Sequence, residues 1–200
     1  MIRVAYADAS TLFVQTVGHI APSQWEQTGL GVWTLRDLVG HTSRALLTVE
    51  MYLAQPAAQR EVLRPVDYYL RVQGGLANAA SVAARGREAG AALGPEPATV
   101  VREAAVRVLA RVQTASDDVL VRTPVGGMRL IDYLPTRIFE LAVHTLDLAA
   151  ALALPVTLPE TTASVALHLL ADLALQPGKA APLLLASTGR QGLPSGFSLL

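Results

Sequence analysis

The 200-residue sequence contains no cysteine. This absence excludes disulfides, iron–sulfur clusters, zinc fingers and thiolate nucleophiles, because all of them need a cysteine side chain. A reaction that uses a thiol would have to take that thiol from a small-molecule cosubstrate. A bound metal would have to be held by histidine, by carboxylates or by water, and the sequence offers four histidines: His19, His41, His144 and His168.

A net charge is also absent, because 16 basic residues balance 16 acidic ones. A general nucleic-acid binder carries a basic excess, so we expect no nucleic-acid partner. No apolar run approaches the roughly 20 residues that a membrane-spanning helix needs, and we expect no membrane association. The first residues lack the basic and apolar regions of a signal peptide, which predicts a cytoplasmic protein.

Charged residues are scarce at 16% of the chain, whereas 52% of the residues are hydrophobic. A chain of this length forms one domain with a sizeable core. The apolar side chains therefore belong to a core, to a subunit interface or to both, and this composition is compatible with a homodimer. We assign residues 1–178 to a helical body and residues 179–200 to a short C-terminal tail of the same domain.

Apolar residues recur every three or four positions along most of the chain, and this spacing predicts an all-α fold, a bundle of long helices. The predicted helices end near prolines and glycines. They cover approximately residues 6–20, 34–53, 67–73, 76–93, 96–114, 133–153 and 160–175. A short hairpin or loop is expected around residues 124–127, and a small β-hairpin is expected in the C-terminal tail.

The predicted helix over residues 133–153 carries a polar stripe. Apolar residues cover most of its circumference, which is typical of a buried central helix. Four polar residues nevertheless fall within about a quarter-turn of arc: Arg137, Glu140, His144 and Asp147. A buried charge must be paired or bound to a metal, because its desolvation is otherwise costly.

Two interpretations of this stripe are open. In the first, it is an internal ladder of ion pairs that joins Arg137 to Glu140 and His144 to Asp147. In the second, Glu140 and His144 are metal ligands, since residues at i and i+4 lie one above the other on a helix. Asp147 or a backbone carbonyl would then orient the imidazole of His144. Arg137, near these ligands, would bind a carboxylate of a cosubstrate or substrate.

His41 is the candidate for a third ligand. It lies in the middle of the second predicted helix, where a core histidine bonded to a carbonyl is the simpler interpretation. The neighbouring Gly40 is unusual, because glycine inside a helix costs about 1 kcal/mol relative to alanine. It indicates the close approach of another helix or of a ligand. With Glu140 and His144, His41 would form a His₂–carboxylate set that leaves coordination open, as catalytic zinc sites do.

Two motifs resemble those of a known family. Residues 33–41, WTLRDLVGH, resemble the W-T-x-R-D-L-x-x-H signature of the N-terminal, metal-binding domain of mycothiol-dependent maleylpyruvate isomerases. Residues 127–134, GMRLIDYL, together with the polar stripe that follows them, resemble the second signature of that family. The tail also resembles that of short actinobacterial relatives. The two histidine-containing motifs are specific jointly, and the resemblance covers most of the chain.

The resemblance implies a fold and a metal site. The family belongs to the DinB-like superfamily of four-helix bundles, and its divalent metal, usually zinc, is held at the positions of His41, Glu140 and His144. We therefore expect a DinB-like bundle that binds zinc, with nickel as an alternative, through these residues. The isomerase has a further C-terminal domain that supplies a substrate-binding arginine, and the residues after Pro177 are too few to form one. The metal site transfers with the resemblance, but the isomerase reaction does not.

The predicted function is that of a metal-dependent enzyme of thiol chemistry, with a small molecule as its substrate. A metal with an open position would bind a low-molecular-weight thiol such as mycothiol and deprotonate it. The thiolate would add to a small electrophile, which results in transfer or isomerisation. The alternative is a module that binds metal or a small molecule without catalysis. Metal affinity should fall as the pH drops through the low 6s, since a ligating imidazole must be neutral.

Overall fold

Helices dominate residues 1–73 and 79–200, which the computed structural model describes. The eight helices of these residues are α1 (Ile2–Val17), α2 (Leu35–Leu53), α3 (Pro65–Gln73), α4 (Ala79–Ala92), α5 (Pro97–Thr114), α6 (Leu130–Ala151), α7 (Glu160–Ala174) and α8 (Ala180–Ser187). Two antiparallel strand pairs join β1 (Thr28–Leu30) to β2 (Trp33–Thr34), and β3 (Leu120–Thr123) to β4 (Gly126–Arg129). The predicted all-α bundle is confirmed, and β3 and β4 form the short hairpin expected around residues 124–127. The start predicted for the fourth helix, at residue 76, lies outside the described residues.

Four helices form the bundle: α1, α6, α2 and α5 contact one another in a closed ring. Helix α6 is central, because it also contacts α3 and α7, and its buried side chains include Leu134, Ile138 and Leu141. The sequence predicts that this helix is buried on nearly all sides. In the structure one side is open, since Val143 and Leu146 are 38% and 40% exposed. None of the helices in the described part of the chain is long and apolar enough to cross a membrane.

Helix α2 begins with a capping box. The Thr34 hydroxyl accepts a hydrogen bond from the backbone N–H of Asp37, and the Asp37 carboxylate accepts one from the backbone N–H of Thr34. These bonds satisfy two donors that the first turn of a helix leaves unpaired. The cap fixes the residue at which α2 starts and therefore the position of His41 along the bundle.

Helix α4 crosses α2 at a contact between two glycines. A Cβ atom at Gly40 would overlap the backbone of Gly90, so only glycine allows this approach. One turn earlier on α4, Gly86 faces the indole of Trp33, whose Nε1 donates a hydrogen bond to the carbonyl of Ala83 over 3.1 Å. The close approach of another helix predicted from Gly40 is confirmed, and it presses Trp33 towards the bundle.

The C-terminal tail differs from the prediction. The expected β-hairpin is wrong, because residues 180–187 form helix α8 and residues 188–200 contain no strand. The sequence AAPLLLAS is rich in alanine and leucine, which have high helix propensities. The tail returns to the body at its end, where Leu199 is buried in the core and Lys179 donates a hydrogen bond to the carbonyl of Ser198.

Candidate metal centre

Helices α2 and α6 bring His41, Glu140 and His144 together. The helices run in opposite directions, since His41 faces His144 while Thr48, later in α2, contacts Tyr133, early in α6. One ligand atom from each of the three residues lies within 4.8 Å of the others. The three residues that the sequence singles out as ligands therefore form one cluster in the groove between the two helices.

Glu140 is held by one of its oxygens and presents the other to the cluster. Its Oε1 accepts a hydrogen bond of 2.7 Å from the hydroxyl of Tyr69, on α3, and its Oε2 lies 3.5 Å from His144 Nε2. Burial alone would raise the pKa of this carboxyl, but the hydrogen bond with His144 and the charge of Arg137 lower the pKa to about 2. Glu140 is therefore ionised at neutral pH, and its carboxylate oxygen can act as a metal ligand.

His144 is held in the same way from its outer side. Its Nδ1 lies 2.9 Å from Asp147 Oδ2, and a carboxylate only accepts, so Nδ1 is the donor. Nε2 is left to face Glu140. Burial would lower the pKa of the imidazole, but the hydrogen bonds with Asp147 and Glu140 and their charges raise the pKa to about 9. Without a metal, His144 is a cation between two carboxylates, and a metal would replace the proton on Nε2.

His41 completes the cluster, and its side chain forms no hydrogen bond with the residues that the structure describes. Its ring packs 4.5 Å from the ring of Trp33 and 4.8 Å from that of His144, centroid to centroid. Its Nδ1 is buried and has no hydrogen-bond partner in the described part of the chain. Burial and the charge of His144 lower the pKa of His41 to about 4, so this imidazole is neutral at physiological pH.

The donor set fits a divalent metal. Two imidazole nitrogens and a carboxylate oxygen are the ligands of catalytic zinc sites, in which a fourth position stays open. A buried imidazole nitrogen without a partner is costly, and a neighbouring ligand would relieve that cost. The free atoms of Glu140 and His144 face each other, while Tyr69 and Asp147 occupy their outer atoms. Such outer partners are what fix the orientation of metal ligands.

The ladder of ion pairs holds only in its second half. His144 pairs with Asp147, but Arg137 lies within 4.0 Å of no carboxylate among residues 1–73 and 79–200. Its guanidinium instead lies over the rings of Tyr68 and Tyr133, at 5.3 and 5.0 Å, and its Nε donates to the hydroxyl of Thr136. Arg137 is therefore not the partner of Glu140 that the helical spacing suggests.

Tyr69 is the site residue that the sequence does not reveal. It lies on a short helix far from either motif, and only the fold turns its hydroxyl towards Glu140. The two remaining histidines stay outside the site. His19 and His168 are exposed, and each places Nδ1 against a carbonyl four residues earlier, that of Gln15 and that of Ser164.

Comparison with known families gives one match. The family model described as the mycothiol maleylpyruvate isomerase N-terminal domain matches residues 6–149. The match runs from α1 almost to the end of α6 and includes all three residues of the cluster. No curated protein and no solved structure matches the chain.

Proposed function

Because the chain belongs to the family of the mycothiol maleylpyruvate isomerase N-terminal domain, we propose that it binds a divalent metal and uses that metal in thiol chemistry. His41, Glu140 and His144 are the proposed ligands. The observation that carries this proposal is that one atom of each α6 ligand is held from outside and the other faces the cluster. Tyr69 binds Oε1 of Glu140 and Asp147 binds Nδ1 of His144. One ligand atom from each of the three residues lies within 4.8 Å of the others.

Zinc is the proposed metal, with nickel as the alternative. Two imidazoles and one carboxylate favour a borderline metal of this kind over magnesium or calcium, which prefer oxygen ligands. Three protein ligands leave room for one small molecule. When bound, the metal would supply Lewis acidity that deprotonates a coordinated thiol.

In the proposed reaction, a low-molecular-weight thiol, such as mycothiol, adds to a small electrophile. The thioether is the product of a transfer, whereas in an isomerisation the C–S bond breaks again and the thiol is released. The chain has no cysteine of its own, so the thiol comes from outside. The residues of the chain have defined tasks in this scheme. Asp147 keeps the proton of His144 on Nδ1, Tyr69 fixes Glu140, and Arg137 is a cationic anchor for a substrate or cosubstrate.

Metal content is the first test. We expect about one zinc per chain, after reconstitution of the untagged protein and removal of free metal, by inductively coupled plasma mass spectrometry. His144→Ala and Glu140→Gln should lose the metal, whereas His168→Ala, which removes an exposed histidine, should retain it. A reconstituted protein without zinc, or equal zinc in all variants, would contradict the assignment of the ligands.

Thiol transfer is the second test. The zinc-loaded protein should accelerate the consumption of an electrophile by mycothiol or a surrogate thiol, and His144→Ala should abolish this acceleration. A protein that binds zinc but leaves the rate unchanged would instead be a binding module without catalysis. This outcome would overturn the enzymatic part of the proposal and leave the metal site intact.

We also propose a homodimer and a cytoplasmic location, both from the sequence alone. The proposed partner is a small-molecule substrate. Light scattering of the purified protein checks the oligomeric state, and a monomer would refute the homodimer without affecting the metal site.

A further inference from the structure

A second feature of the groove between α2 and α6 is a cavity beside the metal cluster. It has a volume of about 280 Å³. Three arginines and three tyrosines make up most of its polar lining: Arg44, Arg85, Arg137, Tyr52, Tyr68 and Tyr133. Arg44 follows His41 by one helical turn, and Arg137 precedes Glu140 by one turn, so the cavity adjoins the cluster. Liquid water takes about 30 Å³ per molecule, so the cavity has the volume of about nine waters, which suits a small organic molecule.

The charge of the cavity is one-sided. No acidic residue is among the described residues that line it. Arg44, Arg85 and Arg137 also form no ion pair within the described part of the chain, whereas seven other arginines do. Three cations that share one cavity without a carboxylate repel one another, and an anion placed between them would remove that repulsion.

Arg137 is the strongest indication of a ligand. The residue is 8% exposed, and its Nε donates a hydrogen bond to the hydroxyl of Thr136. The two Nη atoms have no hydrogen-bond partner among residues 1–73 and 79–200. The rings of Tyr68 and Tyr133 compensate part of its charge. They cannot accept the planar pair of hydrogen bonds that a guanidinium offers to a carboxylate.

We propose that this cavity binds the carboxylate of a small aromatic acid, which is the substrate of the adjoining metal centre. The arginines would take the carboxylate. The rings of Tyr52 and Tyr68 pack against that of Tyr133, with centroids 5.6 and 5.8 Å apart, and all three line the cavity, so they offer one aromatic surface to a planar body. The role as substrate rests on the proposed function, but the anion site itself does not need the metal.

The test uses the full-length, metal-free protein with benzoate, benzyl alcohol and inorganic phosphate as probes in isothermal titration calorimetry. Benzoate and benzyl alcohol have similar size and shape and differ in charge. Benzoate should bind at least about tenfold more tightly than benzyl alcohol, because charge-assisted hydrogen bonds are the strong ones. It should also bind more tightly than phosphate, which offers charge without an aromatic ring.

The variants Arg137→Gln and Arg85→Gln should each weaken benzoate binding about tenfold. Arg87→Gln is the matched control, since Arg87 lies on the same helix as Arg85, is exposed and does not line the cavity. Should Arg137→Gln not fold, Arg85→Gln decides, because Arg85 is an exposed residue whose loss leaves the core intact.

Equal binding of benzoate and benzyl alcohol, no benzoate binding, or wild-type affinity in Arg85→Gln would overturn the anion site. Phosphate binding as tight as that of benzoate would overturn the aromatic part. Zinc content separates this inference from the proposed function. Benzoate binding without zinc uptake would overturn the metal centre alone, and zinc uptake without benzoate binding would overturn the cavity inference alone.

Discussion

Helix α6 and helix α2 form the two walls of the groove, and each wall holds its candidate metal ligands by a different kind of interaction. On α6, Glu140 and His144 are each held by a hydrogen bond, from Tyr69 and to Asp147. On α2, the side chain of His41 has no hydrogen bond to the described residues and is held by packing, with Trp33 against its ring and with α4 packed closely onto α2. A hydrogen-bonded ligand can be loosened by removing one hydroxyl or carboxylate, but a packed ligand is displaced only when the shape around it changes.

The same difference makes the imidazole of His144 a cation and leaves that of His41 neutral at physiological pH. The centroids of the rings lie 4.8 Å apart, yet the pKa is about 9 for His144 and about 4 for His41. His144 has two carboxylate partners, whereas His41 is half-buried, lies next to a cation and has no hydrogen-bond partner for its Nδ1 among the described residues. In the absence of metal, His144 on the α6 wall therefore carries an additional proton, whereas His41 on the α2 wall has a free nitrogen lone pair.

The largest expected effect comes from breaking the packed wall. Gly40→Ala should destabilise the protein by about 2 kcal/mol or more, because the new Cβ overlaps the backbone of Gly90 and the helices must separate. The higher helix propensity of alanine recovers only about 1 kcal/mol. Urea denaturation measures the loss, and zinc affinity should fall with it, since α4 holds Trp33 against His41.

Gly192→Ala is the control for this variant. A Cβ at Gly192 meets no atom within 4 Å, so the same chemical change there should leave stability unchanged or raise it by less than about 1 kcal/mol. A midpoint for Gly40→Ala that equals the wild-type midpoint would show that α2 and α4 do not pack as described, and that packing does not position His41.

An intermediate effect comes from breaking the hydrogen-bonded wall. Tyr69→Phe and Asp147→Ala should each lower zinc affinity about 10- to 100-fold, the usual effect of removing an outer partner of a metal ligand. Competition with a chelating dye measures this affinity. Asp172→Ala is a control, because it removes an exposed carboxylate outside the site. Zinc affinities equal to that of the wild type would show that Tyr69 and Asp147 do not orient Glu140 and His144. Hydrogen bonds would then not distinguish the α6 wall from the α2 wall.

How far the sequence predicts the site follows from the same contrast. Glu140, His144 and Asp147 lie on one helix, so helical spacing alone places them on one face. His41 belongs to another helix, and the resemblance of its motif to the family, rather than spacing, joins it to the other two. Tyr69 could not be predicted, because its role depends on how the short helix α3 packs against α6.

Two errors have physical causes as well. The spacing of Arg137 and Glu140 permits an ion pair, but the guanidinium turns to the rings of Tyr68 and Tyr133. Sequence spacing defines a helix face and leaves the rotamer open. In the tail, glycines around leucine-rich segments suggest a hairpin, yet the local helix propensity of residues 180–187 prevails. A short strand needs a partner, and an isolated hairpin is marginal on its own.

The smallest expected effect, about tenfold for each pH unit, sharpens the comparison of the two imidazoles. With a pKa raised to about 9, His144 is protonated in the metal-free protein at neutral pH, and zinc must displace that proton. His41, with a pKa of about 4, and Glu140, with a pKa of about 2, have no proton to lose. Zinc affinity should therefore rise about tenfold per pH unit from about pH 6 to about pH 9 and then level off. With an unperturbed imidazole, zinc affinity would level off in the low 6s instead.

In Asp147→Ala, which lacks one of the two carboxylates, the plateau of zinc affinity should begin at lower pH. Zinc affinity that is constant above pH 7 in the wild type would show that His144 is neutral, and that both walls offer the metal a free lone pair.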